Sequence, residues 1–390
     1  MSDPTTLTGA ISLPGGFKIG EVTAVPRSQS RMVGAPATPS LGPLAAFVGN
    51  WHGTGFNTIF RPDNAQTPTP LPVPVPGTDN ILELNLTSET MSFSASLGSI
   101  PNRGTVQGDV FFNGIPYLQA VSDITTPGQI IGIHLEPGLW VFVPSTTNPA
   151  EGPTLARMAS IPHGTTILAQ GTSTSIAGKP TIPAVDITPF PTAGGANIAF
   201  PSQVATNPAT PRIPQDLTAF IANGSITQAM LTDPNTFIRN HISAQKITAS
   251  AQISISTEPA TPLFGGGADN IAFLLGNAAA TNPNAQTLRM AATFWIETVE
   301  HTILVPVFRP GQPPLTIMGE AQVPGQPAPV FSVNPPMEIV SPRQITVTST
   351  QIQYSQVVML NFKTLTWPHV SVATLVPAEA LPVPPAAWST

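Results

Sequence analysis

Residues 344–375 read QITVTSTQIQYSQVVMLNFKTLTWPHVSVATL, the most regular stretch of the chain. From Ile352 and Tyr354 onward, apolar side chains fall mainly on one face of an extended chain, while Gln351 and Gln353 begin the opposite, polar face. This period of two is typical of a β-strand that buries one face. A short turn and a second β-favouring run follow, so the stretch predicts an antiparallel pair of strands.

Similar short runs, separated by turn clusters, extend over residues 51–175 and resume over 247–308. This spacing is typical of an antiparallel meander. The 47 prolines disfavour helices, because proline removes a backbone donor and clashes with the preceding helical turn. One helix is indicated, where Asp233 can cap and Pro234 occupies the first helical position. The chain is therefore predicted to be mainly β.

Composition limits the classes of function. Charged residues make up 9% of the chain and the net charge is -6. Both values argue against a nucleic-acid-binding protein, which needs clustered Lys and Arg to neutralise phosphates. The absence of cysteine excludes disulfides, thiolate catalysis and cysteine-ligated metal sites. No apolar run approaches bilayer length and no signal peptide is visible, so we expect a cytoplasmic protein without a membrane partner.

Three segments carry a family resemblance. Residues 44–60 begin LAAFVGNWHGTG, a short apolar segment followed by Gly-x-Trp-x-Gly-x-Gly. Residues 155–171 place a Pro-His-Gly turn between two β-favouring runs, and residues 344–376 contain the closing motif WPHVSVATL. In this order the three segments resemble the nitrobindins, a family of haem-binding β-barrels.

The resemblance implies an antiparallel, ten-stranded calycin- or nitrobindin-like β-barrel with a large β-rich insertion. We expect the barrel to be discontinuous and to consist of residues 42–178 and 336–378. The unmatched residues 179–335 are predicted to form an inserted β-rich region with one short helix. Residues 1–41 are predicted to form an extended N-terminal arm, and residues 379–390 a C-terminal tail.

The histidine of the closing motif is the proximal haem ligand of the nitrobindins, so the resemblance implies that His369 binds the iron of a haem b. Pro368 restricts the backbone just before it. Trp51 and Thr58 on the first strand, together with Arg157, are further candidates for contact with the cofactor. The alternative for Trp51 is packing at the base of the barrel, and the alternative for His369 is a strand-edge histidine that hydrogen-bonds the turn.

The resemblance also implies chemistry on small oxygen or nitrogen species, or peroxide-dependent oxidation, at a His-ligated iron. Three histidines are candidates for the distal side of the haem. His163 lies in a turn, whereas His241 and His301 become candidates only if the inserted region covers the pocket. Peroxidase chemistry needs a group that moves protons, and the sequence does not identify one.

Two other functions stay open. A carrier of an apolar small ligand would use the same barrel without iron, and its binding would not change in His369→Ala. A structural or interaction protein would pack its proline-rich loops against partners and bind no small molecule.

Overall fold

The computed structural model describes residues 38–161, 163–258, 265–275, 284–321 and 325–389. Of the predicted N-terminal arm, residues 1–37 lie outside the described residues. The described chain is mainly β, as predicted. None of its helices is long and apolar enough to cross a membrane.

Ten antiparallel strands close into a barrel. They are β1 (Gly49–Pro62), β2 (Asn80–Phe93), β3 (Val110–Asp123), β4 (Ile131–Val143), β5 (Thr154–Ile161), β6 (Thr165–Ala177), β7 (Lys246–Ser256), β8 (Gln286–Val305), β9 (Arg343–Phe362) and β10 (Leu365–Pro377). Each strand pairs with the next along the chain, and β10 pairs back with β1 from Thr58↔Val370 to Trp51↔Pro377. The predicted ten-stranded antiparallel barrel is confirmed.

The boundaries of the barrel differ from the prediction. Residues 179–335 are not one insertion, because β7 and β8 lie within them and belong to the barrel. A closed ladder needs every strand edge paired, and these two strands bridge β6 to β9. They match no segment of the family resemblance, so the resemblance did not place them in the barrel. The long connections are instead residues 178–245 and 306–342.

Residues 178–245, the covering connection, pack over part of the outer wall of the barrel. They contain helices α1 (Thr218–Asn223), α2 (Gln228–Thr232) and α3 (Asn235–Ile242), and a further helix, α4 (Ala272–Leu275), follows β7. The helix predicted after Asp233 is present as α3, and Asp233 Oδ1 accepts from the backbone N–H of Asn235 at 3.1 Å. Ile187, Met230 and Ile238 pack with outward side chains such as Phe56 and Trp367.

Described segments of the second long connection and of the C-terminal tail form a small sheet beside the extended β8–β9 hairpin. Its strands are Leu315–Met318, Val330–Val333 and Leu381–Pro382. In the short helical turn Pro385–Trp388, the side chain of Trp388 is buried in an apolar cluster with Phe331 of the small sheet and Ile345 of β9. The predicted C-terminal tail is therefore packed against the body of the protein. The remaining short strands are Ile100–Asn102, Thr146–Thr147, Ala150–Glu151, Phe190–Pro191, Arg212–Ile213 and Gly267–Asn270.

Two glycines let β1 and β10 approach closely. A Cβ atom on Gly53 would lie 1.9 Å from the backbone oxygen of Thr374, and one on Gly55 would lie 2.4 Å from that of Val372. Neither backbone oxygen can move away without breaking the ladder. The Gly-x-Gly of the first strand is therefore a requirement of barrel closure.

Glu297 is a buried acid on the outer face of β8. Its Oε2 accepts a hydrogen bond from Gln351 Nε2 at 2.7 Å, and Gln351 in turn exchanges two amide hydrogen bonds of 3.0 Å with Gln245. Burial raises the pKa of Glu297 to about 8, although Gln351 and the charge of Lys179 act in the opposite direction. The carboxyl group is therefore mostly protonated at neutral pH.

Replacing Glu297 with Gln should remove one component of the pH dependence of stability. Native Glu297 keeps a proton that the unfolded chain, at its ordinary pKa of 4.5, releases. Between pH 4.5 and about 8 this group therefore lowers the free energy of unfolding as pH rises. In urea denaturation across this range, the free energy of unfolding of the Glu297→Gln variant should increase relative to that of the wild type as pH rises. A constant difference between the two proteins would contradict the raised pKa.

Candidate functional site

One end of the barrel interior is closed. The short helix Gly42–Phe47 lies across it, and the ring of Phe47 packs edge-on against Trp140 with centroids 5.7 Å apart. The indole Nε1 of Trp51 donates to the backbone oxygen of Phe47 at 2.7 Å. These aromatic side chains are buried and belong to a core cluster with members from all ten strands.

The opposite end is open to solvent. It lies where β9 turns into β10, and the inner-face pairs there are Gln356↔Ser371 and Val358↔His369. The side chains of Gln356, Val358 and His369 are partly exposed although they continue the inner face of buried Tyr354. A ligand could therefore reach His369 through this end.

A buried ion pair spans the middle of the interior. Arg157 Nη2 lies 2.5 Å from Glu136 Oε1, Nε donates to Tyr117 Oη at 2.8 Å, and Nη1 donates to Gln356 Oε1 at 2.8 Å. The Tyr117 hydroxyl also donates to Glu136. Burial opposes the charge on Glu136, but Arg157 and the neighbouring His134 overcome it and lower its pKa to about 2. Glu136 is therefore ionised at every physiological pH.

A second interior carboxyl group, that of Glu89, is bonded by neutral groups. The Tyr354 hydroxyl donates to Glu89 Oε2 at 2.6 Å, the Thr87 hydroxyl to Oε1 at 2.9 Å, and Gln119 Nε2 to Oε2 at 3.4 Å. Burial raises the pKa of Glu89 despite these hydrogen bonds. The Glu89–Tyr354 contact joins β2 to β9 across the interior, so side chains fill this level of the barrel.

His369 is held by an amide on the adjacent strand. Its Nε2 lies 2.7 Å from Asn57 Nδ2, which is also 2.7 Å from Ser371 Oγ. An amide nitrogen can only donate, so Nε2 of His369 accepts and its proton resides on Nδ1. Asn57 Oδ1 accepts from Asn85 Nδ2 at 3.3 Å, which fixes the amide.

Three histidines gather at the open end. The rings of His134 and His163 stack with centroids 5.4 Å apart. Burial, followed by the charges of His134 and His163, lowers the pKa of His369 to about 3. Burial also lowers the pKa of His163. His369 is therefore a neutral imidazole with a lone pair on Nε2.

Two of the predicted haem contacts lie away from this end. Trp51 is at the closed end, where it bonds Phe47. Thr58 is buried on the opposite face of β1, between the outward side chains of Phe56 and Phe60, because successive residues of a strand point to opposite faces. Arg157 faces the interior as a haem contact would, but its guanidinium is committed to Glu136.

Of the three predicted distal histidines, one lies at the open end and two lie outside the barrel. His163 lies at the open end, in the turn between β5 and β6. His241 is on α3 outside the barrel, where its Nδ1 lies 2.9 Å from Thr374 Oγ1 and burial lowers its pKa to about 4. His301 is on the outer face of β8, 2.8 Å from Ser349 Oγ. The covering connection therefore packs on the outer wall, and neither His241 nor His301 faces the interior of the barrel.

Sequence reasoning missed Asn57, His134 and Glu136. A signal existed for each, since Asn57 shares the parity of Trp51 on β1, and His134 and Glu136 are two residues apart on one strand face. The sequence does not show which face of β4 turns inward, because both faces of that strand carry apolar residues.

No protein-family model and no curated protein matches this chain. Among solved structures, it is similar to Rv2717c from M. tuberculosis, with 9% sequence identity and a TM-score of 0.33 over 88% of this chain and 100% of that chain. A similarity this low does not bear on function. The strand pairing establishes a barrel consistent with a calycin-like fold, and membership of the nitrobindin family stays a prediction. In the described residues, no group of three or more His, Asp or Glu side chains could hold a metal ion.

Replacing Arg157 with Met should strongly destabilise the barrel. The change leaves the Glu136 carboxylate buried without its cation, which costs about 3–5 kcal/mol of unfolding free energy. Arg61→Met is the matched control, because the Arg61–Glu83 pair is about one third exposed and such pairs contribute about 0–1 kcal/mol. Urea denaturation measures both, and Glu136→Gln added to Arg157→Met should recover much of the loss. Equal effects of the two single variants would contradict the assigned role of the interior pair.

Proposed function

We propose that the open end of the barrel binds haem b and that His369 is the ligand to its iron. The observation that carries the proposal is the neutral imidazole of His369, whose Nε2 accepts a hydrogen bond on the inner face beside the solvent-open end. An iron ligand must offer such a lone pair, and a protonated imidazole could not do so.

The donor set around His369 fits this role. Asn57 Nδ2 is the present partner of Nε2, and it has a second acceptor in Ser371 Oγ. Asn57 can therefore release His369 and keep a hydrogen bond, so exchange of the amide for a metal leaves no donor without a partner. Val358, directly opposite on β9, adds an apolar surface beside the imidazole.

The rim of the open end offers cations for the haem carboxylates. Arg61 forms an ion pair with Glu83 at 3.1 Å, and Lys363 one with Asp79 at 3.2 Å. Both cations are partly exposed, so either can exchange its partner at low cost. In this proposal Arg61 and Lys363, and not Arg157, contact the haem carboxylates.

Bound haem would supply an iron centre for small oxygen or nitrogen species or for peroxide-dependent oxidation. The chain itself would contribute a neutral ligand in His369 and two further imidazoles, His134 and His163, at the same end.

The test is a titration of the protein with haemin, followed by absorption spectroscopy. We expect a sharp Soret band in the wild type, and in His369→Ala a shifted or lost band with affinity lower by more than about tenfold. His52→Ala is the matched control, because His52 is an exposed histidine on the opposite face of β1 from Trp51. Equal spectra and affinities in the wild type and both variants would overturn the assignment of His369.

A cleft outside the barrel favours a second candidate function, carriage of a small apolar ligand. The cleft holds ≈ 220 Å³ between the wall and the covering connection, and its lining includes Leu86, Met230, Phe237 and His241. A dry cavity of about 150 Å³ is enough for one benzene ring. A monocyclic ligand with one hydrogen-bonding group, such as phenol, therefore fits the volume and the lining.

Met230→Trp should fill this cleft and abolish phenol binding measured by NMR shift changes. The matched control is Met318→Trp, because Met318 is 67% exposed and is not one of the lining residues. This carrier function predicts that His369→Ala leaves phenol binding unchanged. Phenol binding that survives Met230→Trp would place the ligand elsewhere.

A further inference from the structure

A histidine–carboxylate pair joins the open end of the barrel to the ion pair in the middle of the interior. His134 Nε2 is 3.2 Å from Glu136 Oε2, and both residues lie on the inner face of β4. The other carboxylate oxygen of Glu136 is held by Arg157 and Tyr117. The carboxylate thus has a fixed position and directs one oxygen at the imidazole.

This pairing sets the tautomer of His134. Glu136 is ionised and can only accept, so the neutral imidazole donates through Nε2–H and keeps its lone pair on Nδ1. Among the described residues, no hydrogen-bond partner of His134 Nδ1 is seen. The His134 side chain is 21% exposed, whereas that of Glu136 is 0% exposed, so only the histidine can exchange protons with solvent or ligand.

We propose that His134 is the proton acceptor for a weakly acidic small molecule bound at the open end, with Glu136 as its positioning residue. The inference rests on the proposed haem site, because that site would hold the ligand beside His134. The H–X bond of the ligand breaks, its electron pair stays on X, and the proton moves to His134 Nδ1. The resulting imidazolium is stabilised by the Glu136 carboxylate already bonded to Nε2.

The surroundings of His134 favour this role. The Glu136 carboxylate holds the His134 ring from one side through Nε2, and the ring of His163 stacks on the imidazole and fixes its plane. The titratable groups that interact with His134 come from four elements of the barrel: Glu89 on β2, Glu136 on β4, His163 in the turn after β5 and His369 on β10.

The first experiment uses the protein without haem. NMR of ¹⁵N-labelled histidine should show the Nε2–H tautomer for His134 in the wild type. That preference should disappear in the double variant Glu136→Gln, Arg157→Met. The two changes are combined because they remove both charges of the buried ion pair together. An Nδ1–H tautomer in the wild type, or the same tautomer in the double variant, would overturn the proposal.

The second experiment uses the haem-loaded protein and hydrogen cyanide, a weak acid whose binding is followed in the absorption spectrum. His134→Asn should slow cyanide association about 100-fold, the order expected for loss of a positioned proton acceptor. His52→Asn is the matched control, because His52 is exposed on the opposite face of β1 from Trp51, and it should leave the association rate unchanged. Haem affinity is measured in each variant, so that slower cyanide association is not confused with weaker haem binding.

The two proposals fail in distinguishable ways. Unchanged cyanide association in His134→Asn would refute the role of His134 and leave the haem site standing. Failure of haemin to bind would refute the haem site, and the tautomer of His134 would then decide by itself whether the barrel presents a proton acceptor there.

Discussion

Closure of the barrel between its first and last strands is the constraint on which the site depends. The β1–β10 ladder brings Asn57 to His369, 312 positions away in sequence, and to Ser371 directly opposite it. Gly53 and Gly55 permit this approach because no Cβ fits between the two backbones. Without closure, His369 would be an edge-strand histidine with no defined partner. With closure, it becomes a neutral imidazole on the inner wall.

The protonation state of each of three buried acids in this fold depends on the groups that contact its carboxyl group. Glu136 meets a guanidinium and stays ionised, whereas Glu89 and Glu297 receive hydrogen bonds from neutral groups and have raised pKa values. The same desolvation acts on all three, so the nearest cation decides the protonation state. The interior thereby combines one fixed negative charge, that of Glu136, with the neutral imidazole of His369.

Prediction succeeded where the pattern was local. The alternation around Tyr354 predicted β9, and the Asp233-Pro234 start predicted α3. It was wrong for residues 179–335, because β7 and β8 resemble other strands of the chain and their position depends on which edges remain to be paired. The resemblance suggested Thr58 as a cofactor contact, whereas the structure places it on the outer face, since a one-residue difference in parity turns a side chain from the inner face to the outer face.

The sequence by itself determined a mainly β chain, the segments able to form strands, and His369 as the histidine beside the last turn. Only the tertiary structure decided that His134, His163 and His369 share one end of the barrel while His241 and His301 lie outside it. Only the structure assigned Arg157 to Glu136. The physical reason is that strand periodicity gives two faces to each strand, but the pairing of all ten strands, which is non-local, decides which face encloses the interior.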